Sequence, residues 1–229
     1  MQMKRSQRST RMDHKKSLQL QAYEYIKNMV LEGKMQQNEI YSETKIAKEL
    51  GISRTPVRDA IQYLSQERYI DILPNKGFRL HTMKMQDVID TKQIRTAIEG
   101  YCARQIAKAN LQKDTEAVFS ILQNCLEKQK QAVQQESIQL FFDADILFHV
   151  TIIEYVNNQE LTHLFHSYMY RMRNFALHSL SCSGRMEKAY EEHVKIFENM
   201  KCGDAIQTYE SVVWHMESPR DISIDDTIS

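Results

Sequence analysis

Residues 42–64 read SETKIAKELGISRTPVRDAIQYL, a stretch that predicts two short helices joined by a tight turn. Ile46, Ala47 and Leu50 share one face of the first helix, and Gly51 supplies the turn. Ser53 is a suitable N-cap for the second helix. Apolar side chains then recur at the helical period: Val57, Ala60, Ile61 and Leu64. The stretch therefore predicts a helical hairpin that buries one side.

Two arginines, Arg54 and Arg58, lie one turn apart on the second helix and outside its apolar stripe. Such a helix suits the major groove of DNA, where guanidinium groups can reach guanine edges or phosphates. An ordinary surface hairpin with solvated arginines explains the spacing equally well. The spacing alone leaves both interpretations open.

The flanking segments favour DNA binding. Residues 21–30 form an amphipathic pattern that ends at Gly33, which predicts a helix before the hairpin. After Leu64, two short runs, 69–73 and 78–81, surround the turn sequence Pro74-Asn75-Lys76-Gly77 and predict a β-hairpin. Three helices followed by a β-hairpin is the order of a winged helix-turn-helix.

The sequence GISRTPVRDAI at residues 51–61, with Leu64 and the wing from Pro74 to Leu80, resembles the GntR family of bacterial transcription regulators. The resemblance covers about residues 18–82. It implies that Arg54 and Arg58 contact DNA, that Ser53 and Thr55 bind phosphate, and that Lys76 and Gly77 form the wing tip. The implied DNA-binding set is Thr44, Ser53, Arg54, Thr55, Pro56, Arg58, Lys76 and Gly77. Thr44 stands where some relatives carry a base-reading arginine, so base preference is expected to differ from theirs.

Charge is divided unevenly along the 229 residues. Residues 1–82 contain 15 Lys/Arg and 9 Asp/Glu, a net charge of +6, whereas residues 83–229 carry a net charge of −6. A basic segment suits DNA because its contacts release counterions from the phosphates. The four cysteines show no CxxC spacing, and no apolar run approaches the ~20 residues of a membrane span. The basic N-terminus lacks the apolar segment of a secretory signal. We therefore predict a cytoplasmic protein.

The second half predicts helices almost throughout. Its apolar residues recur at helical spacing in six segments: 88–109, 115–133, 138–155, 160–180, 186–200 and 204–216. Six helices with short connections predict an antiparallel bundle. The expected fold is mainly α, with a disordered basic arm at 1–15, a winged helix-turn-helix at 16–82, a helical effector-binding and dimerisation domain at 83–217, and a flexible tail at 218–229.

A possible metal site lies within the predicted bundle. Asp145 and His149 are four residues apart and share a face of one helix. His193 and His215 flank a plausible helix–helix turn at Lys201–Asp204, so the two histidines could approach each other. Three histidines and a carboxylate suit Zn²⁺, Ni²⁺, Mn²⁺ or Fe²⁺. Ordinary hydrogen-bonded histidines explain the spacing as well.

The bundle also resembles the FCD effector domain of the FadR subfamily. The resemblance is carried by Arg95–Glu99, Asp145-x-x-Phe148-His149, Asn158 with Leu161, Glu192-His193 and His215. It implies a metal, most often zinc, held by Asp145, His149, His193 and His215, and a small carboxylate beside the ion. Arg95 is the first candidate for the carboxylate's counter-charge, although an ion pair with Glu99 would equally occupy it. Arg171 and Arg173 are weaker candidates.

These patterns predict a homodimeric DNA-binding regulator, of the repressor type commoner in the family, that responds to a small organic acid. Two alternatives stay open. A metal-free bundle could sense another organic or lipid-like effector, or the metal could itself be the signal. A metal-dependent hydrolase of the helical HD type is disfavoured because the sequence contains no adjacent His-Asp pair, and no phosphate-binding glycine loop is present.

Overall fold

The structure is a computed structural model that describes residues 18–36, 38–82, 84–110 and 115–218, apart from the side chains of Tyr170, Arg171 and Asn174. The predicted basic arm at 1–15, the tail after residue 218 and the Arg171 side chain lie outside the described residues. The chain divides into two compact units between Met83 and Lys84. Within the described ranges, no helix is long and apolar enough to cross a membrane.

The first unit is a winged helix-turn-helix, as the sequence predicts. It contains α1 (residues 18–31), α2 (Glu43–Leu50), α3 (Arg54–Gln66) and an antiparallel hairpin of β1 (Ile70–Leu73) and β2 (Gly77–Leu80). Its core consists of apolar residues from all three helices and the hairpin: Ala22, Ile26, Ile46, Val57, Ala60, Leu64, Ile70 and Phe78. This core buries one face of α3.

Ser53 occupies the N-cap position of α3, but its side chain makes no capping hydrogen bond. Capping therefore does not occupy its hydroxyl group, and Ser53 is exposed at the start of the helix. The sequence identified the N-cap position correctly, but it did not predict that the capping hydrogen bond is absent.

The wing is tied to the chain before α2. Tyr41 and Phe78 exchange two backbone hydrogen bonds of 2.7 and 3.0 Å. Gly77 has φ +124°, and a Cβ added there would lie 2.1 Å from the carbonyl oxygen of Tyr41. A glycine is required at residue 77 for this close approach as well as for the backbone angle.

Within residues 84–110 and 115–218 the second unit forms six helices, which confirms the predicted helical bundle. They are α4 (Met85–Asn110), α5 (Glu116–Gln134), α6 (Ile138–Tyr155), α7 (Gln159–Ser181), α8 (Arg185–Cys202) and α9 (Ala205–Glu217). Gly203 ends α8, and the Asp204 side chain accepts hydrogen bonds from the backbone of Ile206 and Gln207 at the start of α9. This turn places α8 and α9 side by side, as the sequence predicts.

Tight packing of α4 against α9 positions part of the functional site. A Cβ at Gly100 would lie 2.7 Å from the ring of Tyr209, so glycine permits the close approach of the two helices. The bundle core is largely apolar, with members that include Cys102, Ile106, Leu122, Phe148, Ile152 and Phe165. Polar residues buried in such a core need polar partners.

Candidate functional site

The structure brings together all four metal ligands that the resemblance implies. Asp145 and His149 come from α6, His193 from α8 and His215 from α9. One nitrogen of each histidine lies within 4.8 Å of the others. Oδ1 of Asp145 lies 3.5 Å from Nε2 of His193 and 3.7 Å from Nε2 of His149. Four donors from three helices therefore converge on one point.

Each histidine also meets a polar side chain on its outer side. Nδ1 of His193 contacts Oε1 of Gln129 at 2.9 Å, and Nδ1 of His215 contacts Oε2 of Glu192 at 2.8 Å. Nδ1 of His149 lies 2.6 Å from Oε2 of Glu99, an ion-pair distance without hydrogen-bond alignment. At His193 and His215, outer acceptors of this kind favour a proton on Nδ1, which would leave the Nε2 lone pair for a metal.

The pair His193 and His215 shows why a cation fits. Their Nε2 atoms are 3.2 Å apart. When Gln129 and Glu192 accept hydrogen bonds from the two Nδ1 atoms, the two Nε2 lone pairs face each other across this gap. A cation between the rings satisfies both lone pairs. Three imidazole nitrogens with one carboxylate oxygen are a donor set suited to zinc and to other divalent transition metals.

Two arginines stand behind the outer carboxylates. Nε of Arg95 lies 2.5 Å from Oε1 of Glu99, and Nη2 of Arg185 lies 3.0 Å from Oε2 of Glu192. The ion pair that the sequence offered as the alternative role of Arg95 is therefore present. Each guanidinium nevertheless keeps one buried nitrogen without a hydrogen-bond partner among the described residues: Nη2 of Arg95 and Nη1 of Arg185.

Electrostatics concentrate positive charge at His149. Burial lowers the pKa of His149, but Glu99 and Asp145 outweigh burial and raise it to about 9. Burial lowers the pKa of His193, and the neighbouring His215 lowers it further. Burial also lowers the pKa of His215, although Glu192 partly opposes this shift. His149 is therefore the histidine of this centre whose protonated form its neighbours stabilise best.

The carboxyl groups around the histidines are held ionised. Burial raises the pKa of Glu99, but Arg95 and His149 outweigh burial and lower it to about 2. Burial likewise raises the pKa of Glu192, which His215 and Arg185 bring down to about 2. The pKa of Asp145 lies below its usual range, because His149 and the other histidines outweigh its burial. Three carboxylates thus surround the three imidazoles.

A small cavity of about 70 Å³ reaches this centre. Its polar lining consists of Lys92, Arg95, Asp145, His149, Ser179, Arg185 and His215. Phe142, Phe148 and Ile152 do not line this cavity and are packed in the bundle core. Access to the histidines therefore lies on the side of the two arginines.

Sequence reasoning missed three contributors to the site: Gln129, Arg185 and the outer role of Glu192. Gln129 is completely buried, and it interrupts the apolar stripe of α5. A lone amide on a core-facing stripe was the available signal. Arg185 and Glu192 lie seven residues apart, on the same face of α8, which was a weaker signal.

The arginine surface of the first unit consists of α3 residues Arg54 and Arg58, whose side chains are 59% and 58% exposed. Nη2 of Arg54 lies 3.5 Å, and Nε of Arg58 lies 3.4 Å, from Oε2 of Glu43 on α2. Of the remaining predicted DNA-binding residues, Thr44, Ser53, Thr55 and Lys76 are exposed, Gly77 is half-buried and Pro56 is buried in the first turn of α3. The first turn tolerates proline because its N–H groups have no partner within the helix.

Comparisons with known proteins agree with both units. The model for bacterial regulatory proteins of the gntR family matches residues 18–80, and the FCD domain model matches residues 90–218. The chain therefore belongs to the GntR-type transcription regulators that carry an FCD domain. It is a DNA-binding regulator and not an enzyme, which confirms the prediction and sets aside the hydrolase alternative.

Individual relatives are of the repressor type. The gluconate operon transcriptional repressor of Bacillus subtilis (strain 168) is 28% identical over 178 residues, which cover 78% of this chain and 70% of the repressor. The protein of the same name from Bacillus licheniformis is 25% identical over 170 residues, covering 74% and 67% of the two chains.

Two solved structures share the fold. E. coli McbR/YncC superimposes with a TM-score of 0.65 at 21% identity, covering 88% of this chain and 94% of that one. A GntR transcriptional regulator from Rhodococcus sp. RHA1 gives a TM-score of 0.66 at 18% identity, with coverage of 88% and 95%. At these identities the likeness concerns the fold alone.

Proposed function

We propose that this protein is a homodimeric cytoplasmic repressor of the FadR subfamily. Its helical unit would hold a divalent metal ion, with zinc as the first candidate, and a small carboxylate effector. Binding of the effector would weaken binding to operator DNA. The observation that carries the metal assignment is the convergence of one nitrogen from each of His149, His193 and His215, all within 4.8 Å of one another, beside the carboxylate of Asp145. The repressor type is supported by the names of the two Bacillus relatives.

Asp145, His149, His193 and His215 would hold the ion. When bound, it would supply a Lewis-acidic anchor for a carboxylate oxygen. Glu99, Gln129 and Glu192 would keep the imidazoles oriented by holding the Nδ1 side of each ring. The outer contacts thus fix the geometry before any ion arrives.

Arg95 and Arg185 would provide the counter-charge for the effector. Their unpartnered nitrogens are buried, and both residues line the small cavity beside His149 and His215. A carboxylate accepting from these nitrogens would satisfy donors that the described residues leave without a partner. Arg95 was the candidate from the sequence, and Arg185 is added by its position.

In the first unit, Arg54 and Arg58 would read bases in the major groove, while Ser53 and Thr55 would contact phosphates and Lys76 would reach the DNA from the wing. Thr44 is exposed beside this surface and would shape base preference. A dimer would place two such units on half-sites about one helical turn apart. We assign Pro56 and Gly77 to shaping α3 and the wing.

Metal analysis of protein purified without chelators tests the proposal. We expect about one divalent ion per chain in the native protein and in His163→Ala, an exposed histidine of α7 that serves as the control. His149→Ala and His193→Ala should lose the ion. Native protein without metal that still responds to an effector would instead favour the metal-free regulator.

A further inference from the structure

Beside the small cavity lies a larger groove of about 510 Å³ between α4, α7 and α9. Its apolar lining consists of Met85, Val88, Ile89, Phe175, Val213 and Met216. Lys92, Phe175 and Met216 also line the cavity at the histidine centre. The two spaces therefore share a wall, and one is apolar while the other contains arginines and metal ligands.

We infer that the effector is a monocarboxylic acid with an apolar body: its acid group lies between Arg95, Arg185 and the histidine centre, and its apolar body lies in the groove. This inference rests on the proposed function, because it extends the same carboxylate site.

Size separates the roles of the two spaces. The cavity of about 70 Å³ has room for an acid group and not for a whole organic molecule, whereas the groove of about 510 Å³ falls within the ~300–1,000 Å³ typical of small-molecule sites. A ligand anchored at Arg95 would therefore extend most of its volume past Phe175 and Met216 into the groove.

Charge indicates what that volume should be. The groove contains one cationic side chain, Lys92, and one anionic side chain, Glu217, so their charges cancel. A second carboxylate would find no net positive charge there. By contrast, Met85 and Ile89 are 43% and 40% exposed, and covering them with hydrocarbon would remove apolar surface from water. An apolar body suits the groove better than a polar one.

The experiment is a calorimetric titration of full-length, metal-loaded protein with acetate, butyrate, hexanoate and octanoate, each below its micelle-forming concentration. We expect affinity to rise about fourfold for each added methylene, as burial of a CH₂ predicts, until the groove is filled. Ile89→Asn should weaken octanoate binding about tenfold and leave acetate binding unchanged. Ile121→Asn is the matched control, because Ile121 is 46% exposed on α5 and lines neither cavity.

Different failures identify different errors. Binding of acetate without any gain along the series overturns the inference and leaves the carboxylate site standing. Absence of binding for every acid removes the proposed effector site and the inference with it. A gain with chain length that Ile89→Asn does not reduce would show nonspecific binding and overturn the inference. The inference would also be overturned if affinity did not change with chain length and Ile89→Asn dissociated a dimer. A second copy of the chain would then cover the groove.

Discussion

In the first unit, Arg54 and Arg58 stand in solvent with more than half of each side chain exposed, whereas in the second unit His149, His193 and His215 are 2%, 0% and 7% exposed. The arginines belong to a single helix, and the histidine centre draws its residues and outer contacts from α4, α5, α6, α8 and α9. Changes at the exposed arginines should therefore affect DNA binding without affecting folding. Changes in the buried centre can alter both, so they need controls that keep the fold intact.

The largest expected effect is at the arginine surface. Arg54→Ala combined with Arg58→Ala should weaken operator binding by about 100-fold or more, since each base-reading contact contributes about 1–3 kcal/mol. Fluorescence anisotropy with labelled operator measures the loss. The melting temperature should be unchanged. Arg104→Ala, an exposed arginine of α4, is the control, and an equal loss there would show a general charge effect.

Two glycines of the first unit separate the cost of a steric clash from the cost of a left-handed backbone angle. Gly77→Ala should destabilise that unit by about 3 kcal/mol, because its Cβ would lie 2.1 Å from the Tyr41 carbonyl oxygen at φ +124°. Gly33→Ala has a similar backbone requirement at φ +67° but no atom within 4 Å, so it should cost only about 1 kcal/mol. Thermal unfolding compares them, and equal costs would contradict the steric argument.

The outer contacts of the histidine centre provide the next test. Gln129→Ala should reduce metal affinity about 10- to 100-fold, because Nδ1 of His193 loses the acceptor that orients its ring. Competition with a chromogenic chelator measures the affinity. Gln129→Glu keeps an acceptor oxygen and should recover most of it. Gln123→Ala, exposed on the same helix, should have no effect; a loss there would point to the helix and not to the contact.

The smallest expected effect concerns Glu43, which lies within 3.5 Å of both Arg54 and Arg58. Exposed ion pairs contribute about 0–1 kcal/mol, so Glu43→Gln should hardly change stability. It should tighten binding to nonspecific DNA severalfold at low salt, because an anion beside the arginines is removed. Unchanged nonspecific affinity over a salt series would show that Glu43 does not compete with DNA for these arginines.

The two sites also differ in how far the sequence predicts them. The first unit is built from neighbouring residues, and the spacing of its apolar and turn residues was enough to predict α2, α3 and the hairpin. Two details were not predicted: the missing capping bond of Ser53 and the close approach of Gly77 to the backbone of Tyr41. The second depends on how the chain before α2 packs on the wing.

In the second unit the sequence predicted the six helices, and the FCD resemblance identified the four inner residues. The outer shell was not predictable in the same way. Gln129 and His193 are 64 residues apart, and nothing in their spacing indicates that α5 and α8 bring them to 2.9 Å. The position of Arg185 at this site was not predicted, because an arginine at the start of a helix is ordinarily solvated. Its burial follows only from the packing around Glu192.

We propose that the buried histidine centre controls DNA binding by the exposed arginine surface. The most direct measurement is operator affinity of the metal-loaded protein and of His193→Ala as the tightest-binding carboxylic acid is added. We expect the acid to weaken operator binding of the native protein at least about tenfold, within the range of coupling energies between sites, and to leave His193→Ala unaffected. An equal response in both proteins, with His193→Ala shown to lack the metal, would contradict the claim.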